Sequence, residues 1–161
     1  MNQLSFPEPC AENAYLAEHI HLMQESLRQS TKRDFTDCGL KITANLAKDI
    51  YYAPFVVVSH NTDPDPIFNY ANLTAQKLFE MTWQEFTALP SRQSAEPPNQ
   101  DERAQLLETV ATKGFCENYT GIRISKNQRR FYIQDALVWN LVDLAQKYYG
   151  QAAICHRWQY L

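Results

Sequence analysis

Two polar residues fall where the pattern calls for apolar ones. Residues 129–142 and 151–158 alternate as β-strands do. Phe131, Ile133, Leu137, Trp139 and Leu141 are expected on one face of the first strand, and Asp135 falls among them. Ala152, Ile154 and Trp158 share a face of the second, with His156 among them. An unpaired buried charge is costly, so either residue, if buried, needs a partner or a ligand. Three readings stay open. A bulge turns Asp135 outward, or the pair hydrogen-bonds internally. Both line a ligand cavity. Or the chain is a small enzyme with Asp135 and His156 as its acid/base pair, which requires them within reach of one another or of a common pocket.

The segment Ser91-Arg92-Gln93-Ser94-Ala95-Glu96 is the second candidate. Arg92 and Glu96 could pair with each other on the surface, where an ion pair contributes little. Alternatively the planar guanidinium of Arg92 anchors a carboxylate or phosphate, with Ser94 donating beside it. Trp83 and Trp139 read as core residues or as a ligand wall. Tyr119 and Arg123 share a strand face with Glu117, which suggests a cross-strand Arg–Glu arrangement. The candidate ligand-binding set is therefore Trp83, Arg92, Ser94, Glu96, Tyr119, Asp135 and His156.

Recognisable catalytic motifs are missing. The chain has four glycines, no phosphate-binding glycine loop and no GxSxG elbow. His19 and His21 lie two apart, point in different directions on a helix, and read as solvated or edge residues. A metal site drawing on His19, His21, His60 and His156 has no support from spacing. Four dispersed cysteines without a CxxC pair read as free thiols of a reducing cytoplasm. A formal charge of −3 disfavours a broad nucleic-acid surface. The start, MNQLSFPEP, lacks the pattern of a signal peptide, and the apolar run at 53–58 is too short to span a bilayer. A cytoplasmic protein without membrane contact is the expectation.

The elements follow from periodicity. With 161 residues and 45% hydrophobic content the chain can bury one ordinary core. Leu16, Ile20, Met23 and Leu27 give a single helical stripe over residues 12–29. A second helix is expected over 42–51. These two helices either cover one face of a sheet or act as a dimerising or signal-relaying cap. Strands are expected at 55–60, 67–70, 115–125, 129–142 and 151–158. Asn72 is placed to cap one helix, and Thr82 with Glu85 forms a capping box for the next. A loop over 93–99 leads to a helix beginning at Asn99 or Asp101, which Gly114 ends. The organisation is a helical cap over 1–52 and an α+β domain over 53–161, together one globular unit.

The order strand, Asn-led helix, short helix and Leu-Pro over residues 63–92 resembles the start of a PAS domain. The residues themselves resemble the MEKHLA domain, a PAS-like family, in Asp-Pro-Ile-Phe-Asn-Tyr at 65–70, Leu-Phe-Glu-Met-Thr-Trp at 78–83, Leu-Pro-Ser-Arg at 89–92 and Ser-Ala-Glu-Pro at 94–97. Asn-Tyr-Thr-Gly-Ile-Arg-Ile-Ser at 118–125 and Val-Trp-Asn-Leu-Val-Asp at 138–143 extend the likeness over about residues 15–161. The resemblance implies a PAS-like five-stranded antiparallel sheet with helices beside it, preceded here by the two N-terminal helices. It implies a sensory or regulatory module holding a small organic ligand between sheet and helices, with a homodimer through the N-terminal helices as a further expectation. The alternative is a ligand-free interaction module. Plant MEKHLA domains resemble C-terminal parts of homeodomain–leucine zipper factors, but no homeodomain or basic helix stands here, so direct DNA binding does not carry over. A stand-alone chain of this kind resembles bacterial or cyanobacterial members. The flavin-binding motif with its cysteine is not matched, and residues 100–113 hold no histidine for a haem, so no cofactor is assigned.

Overall fold

The computed structural model describes residues 5–161. An antiparallel sheet runs in the spatial order β2-β1-β5-β4-β3, with β6 also paired to β4. The strands are β1 (Val56–His60), β2 (Phe68–Ala71), β3 (Phe115–Ile124), β4 (Arg130–Val142), β5 (Tyr148–Cys155) and β6 (Arg157–Tyr160). The last expected strand is thus interrupted at His156. Its register is not: Leu137 faces Ile154 and Gln134 faces Arg157, so β6 continues β5 along β4. Asp135 and His156 fall opposite one another in the gap.

The face alternation does not run through that gap. Asp135 has φ +55°, in the left-handed region that Asp tolerates better than most residues. It is an extra residue of β4 between Ile133, which faces Gly121, and Ala136, which faces Tyr119. β3 compensates with an extra residue between Cys116 and Tyr119, where Asn118 has φ +56°. The two bulges restore the register and reverse the faces. Phe131 therefore packs with Ala136 and Cys155 on one side of the sheet, whereas Leu137, Trp139 and Leu141 lie in the cluster on the other. Ala152 and Ile154 belong with the latter and Trp158 with the former. The single apolar face expected from strict alternation is corrected to two half-faces. Asp135 is exposed, as the outward bulge requires.

One side of the sheet is covered by α1 (Ala17–Thr31) and α2 (Leu46–Tyr51), after a 3-10 turn over Ala11–Leu16. The α1 stripe is spent here: Ile20, Met23 and Leu27 are fully buried against Trp139, Leu141 and Val57. Trp139 Nε1 donates to Met23 O at 3.1 Å. Ser26 Oγ donates to Val142 O and accepts from Val142 N, both at 2.8 Å, so the helix pairs backbone groups of the strand. His19, expected as a solvated or edge residue, is instead buried, with Nε2 2.8 Å from Ser59 Oγ. The second helix starts later than expected because Asn45 is its cap, accepting from Lys48 N at 3.1 Å.

The opposite side is covered by α3 (Leu73–Phe79), α4 (Trp83–Phe86) and α5 (Pro97–Lys113). Asn72 caps α3 as expected, accepting from Ala75 N at 3.1 Å. It is also a buried junction. Its Oδ1 accepts from Val57 N at 3.1 Å, and its Nδ2 donates to Ile50 O and Phe55 O at 3.0 and 2.7 Å. One side chain thereby ties β1, α2 and α3 together. Thr82 and Glu85 form the expected capping box. The loop expected over 93–99 is instead a 3-10 turn, Ser91–Ser94, followed by a helix that begins at Pro97. Proline fits the first helical turn because its φ is preset and its missing N–H would have had no partner there. Gly114 ends α5 with φ +98°, donating to Val110 O at 2.7 Å.

Candidate functional site

Between the sheet and α3–α5 lies a cavity of about 90 Å³. Val56, Val58, Phe68, Phe79 and Ile133 make much of its wall, with Leu106 and Leu107 on α5 as the opposite side. Roughly 300–1,000 Å³ is usual for pockets that hold drug-sized ligands, so this one suits a molecule of few heavy atoms. The reversed alternation builds it. Ala136 and Val138 reach the cavity only because the Asp135 bulge turns them toward α5.

Four polar side chains converge on this apolar wall. His60 is buried, with Nδ1 2.9 Å from Asn61 O and Nε2 3.1 Å from Gln151 Oε1. Gln151 Nε2 donates to Leu107 O at 2.9 Å and to Asn140 Oδ1 at 3.1 Å, which turns its oxygen to His60. Burial pushes the His60 pKa down, the Asn61 carbonyl opposes this, and nearby Arg103 lowers it further. Gly150 lets the strands close beside it. With φ +124°, any Cβ there would stand 1.9 Å from His60 O.

The other two are arginines. Arg103 is 7% exposed and Arg123 is 6% exposed. Arg103 shares the buried stripe of α5 with Leu106 and Val110. Arg123 comes from β3, where Nη1 donates to Ile122 O at 2.8 Å and Nη2 to Tyr119 OH at 3.2 Å. Gly121 between them leaves the space: a Cβ there would meet the Tyr119 hydroxyl at 2.5 Å. Burial pulls the Arg103 pKa down to about 10, and the like charge of Arg123 adds to this.

The residues singled out from the sequence are divided by the structure. Ser94 and Tyr119 line the cavity. Ser94 Oγ donates to Ser91 O at 2.7 Å. Arg92 does not pair with Glu96. It is half-exposed and bonds Asp65 at 3.1 and 3.2 Å, while Glu96 takes Arg130, one contact measuring 3.0 Å. Trp83 is buried away from the cavity, donating to Phe6 O at 3.1 Å and meeting Tyr70 edge-on. Asp135 pairs with Arg157 at 3.0 Å, and His156 is exposed with its ring 4.3 Å from that of Phe55. Neither of these two lines the cavity. The expected Glu117–Arg123 pairing is replaced by Glu117–Arg33 at 2.7 Å.

His60, Gln151, Arg103 and Arg123 were not singled out as site residues. For Arg103 the signal was available: it stands three and seven residues before Leu106 and Val110, at an apolar position of the helix. Among the described residues no group of three His, Cys, Asp or Glu side chains could hold a metal ion.

Comparison with known proteins agrees with this architecture. The family model described as MEKHLA domain matches residues 17–160. No curated protein gives a match. Among solved structures, the PAS domain of a protein from Colwellia psychrerythraea is similar at a TM-score of 0.60 and 14% identity, covering 68% of this chain and 90% of that one. A light-oxygen-voltage domain studied with a flavin analogue is similar at 0.57 and 15% identity, covering 72% and 84%. The dark structure of the blue-light photoreceptor Aureochrome1 LOV is similar at 0.55 and 15%, covering 71% and 83%. At these identities the likeness concerns the fold.

Proposed function

The chain belongs to the MEKHLA domain family, and from that premise we propose that it is a sensory or regulatory module holding a small organic ligand between the sheet and α3–α5. The observation that carries this reading is the cavity itself: an apolar chamber with His60, Gln151, Arg103 and Arg123 at its wall. An apolar pocket with a few convergent polar groups is the usual form of a small-molecule site. Paired native and denaturing mass spectrometry on freshly purified protein tests it. Extra mass in the native spectrum that vanishes on denaturation supports the reading. A clean apo mass moves weight to a ligand-free interaction module.

That alternative draws less support from the molecule. The apolar stripe of α1 is buried against its own sheet, so a homodimer through the N-terminal helices would have to use their outer, polar faces. The acid/base enzyme reading is weaker still, since Asp135 and His156 stand outside the cavity with other partners. The native spectrum reports monomer or dimer in the same experiment. Cytoplasmic residence remains part of the proposal. Among the described residues no helix is long and apolar enough to cross a membrane.

A further inference from the structure

Arg103 carries five N–H donors. Among the described residues it makes no hydrogen bond and no ion pair, although nine-tenths of it is buried and it lines the cavity. Asp65 acts on it only through space and is itself held by Arg92. Arg123, equally buried on the same wall, bonds a carbonyl and a phenol but no carboxylate. Glu102, exposed beside Arg103 on α5, accepts from the Tyr119 hydroxyl at 3.5 Å. Two guanidinium groups thus face one small apolar chamber without a counter-ion, in a protein whose formal charge is −3. Buried cations are usually paired, because a partner offsets the hydration that burial removes. The Arg103 nitrogens are not sealed in, so a partner can reach them. Among the described residues no carboxylate bonds either guanidinium.

We propose that the cavity binds a small organic carboxylate, with Arg103 as the principal anchor and Arg123 as the second cation. This rests on the ligand-module reading above and adds the ligand's chemical class. The planar fork of a guanidinium matches a carboxylate through two parallel N–H···O bonds, and all of Arg103's donors are free to make them. Val56, Val58, Phe68 and Phe79 would hold the apolar body of the acid, which argues for an organic acid over a bare inorganic anion. The volume of about 90 Å³ limits that body to a few carbons or a single ring. His60 and Gln151 close the chamber on the β1–β5 side, their polar atoms engaged with each other and with Asn61, Leu107 and Asn140.

The test compares acids with their neutral twins on the full, extensively dialysed chain. Butyrate, hexanoate and benzoate are set against butyramide, hexanamide and benzamide, with inorganic phosphate as a third arm, and thermal unfolding is followed. At least one acid should raise the unfolding temperature by about 4 °C or more at saturation, while its amide leaves it unchanged. Arg103→Met should abolish the shift, and Arg123→Met should weaken the acid's affinity at least about tenfold. Arg92→Met, a surface variant, should leave it intact. If Arg103→Met does not fold, Arg103→Lys carries the test, retaining the charge but losing the fork and so binding more weakly. Equal shifts from acids and amides, or an acid shift that survives Arg103→Met, would overturn the carboxylate assignment and leave the ligand module standing. Phosphate matching the acids would overturn the organic-acid assignment. A chain that answers to none of these compounds overturns the inference, and the native mass spectrum then decides the ligand module separately.

Discussion

Beneath α1 and α2, the sheet buries Trp139, Leu141, Val57 and Ile154 against Ile20, Met23 and Leu27, and the polar groups there mostly bridge helix and strand. Beneath α3–α5, the same strands present Val56, Val58, Ala136 and Val138 to a chamber with two guanidinium groups that bond no carboxylate among the described residues. The side chains differ in size as well as in charge. A tryptophan at 139 fills its side; an alanine at 136 and a valine at 138 leave the other side hollow. A filled face maximises contact and contributes stability, whereas a hollow cationic face costs stability until something occupies it. The contrast separates a filled wall from a hollow, cationic one within one sheet.

The sharpest way to break that contrast is to empty the filled face. Trp139→Ala removes a fully buried indole and its added hydrogen bond to Met23 O, so it should cost about 3–5 kcal/mol in urea unfolding. A loss below about 1 kcal/mol would mean that this face is not the stabilising one.

Acid should act mainly through the same face. Burial lowers the His19 pKa from 6.5 to about 4. Its folded-state pKa lies below its unfolded value, so the unfolded chain takes up the proton first. The stability is fully present above pH 6.5 and is lost as pH falls toward 4, by about 3 kcal/mol. His60 is shifted in the same direction by burial on the other face. His19→Gln should flatten the profile in denaturant titrations from pH 7 to 4. An unchanged slope would assign the acid sensitivity elsewhere.

On the hollow face the expected sign is opposite. Arg103→Met removes an unpaired buried cation and keeps an apolar stem, so the ligand-free protein should gain about 1–2 kcal/mol. A gain there beside a large loss at Trp139 would sharpen the distinction between the faces; a loss of similar size at both would erase it. The smallest effect belongs to neither face. Arg92→Ala breaks an exposed pair with Asp65 and should leave the unfolding midpoint unchanged within error.

Local features were legible in the sequence because their causes are local. Asn72 and Thr82 with Glu85 cap the helices where their spacing placed them, and Gly114 stops α5 where a left-handed residue was needed. The stripe at Ile20, Met23 and Leu27 turned inward as its period required. The start of α5 was misplaced because two prolines look like a loop in isolation, although they satisfy a first helical turn. Ser94 and Tyr119 were the part of the site that could be read from the chain; Arg92 and Glu96 were drawn off by Asp65 and Arg130, which lie 27 and 34 residues away in sequence.

By itself, the sequence determined the family, the element order and the capping, since each rests on residues within a few positions of one another. Tertiary structure decided which faces those elements present. The left-handed residue at Asp135 reverses the alternation of β4, and a matching bulge at Asn118 absorbs the offset, so strict period-2 reading assigns half the strand to the wrong side. Only the folded sheet brings Arg103 of α5, Arg123 of β3, His60 of β1 and Gln151 of β5 to one chamber. A charge on one element shows no lack of partner until the neighbours that fail to pair it are in place.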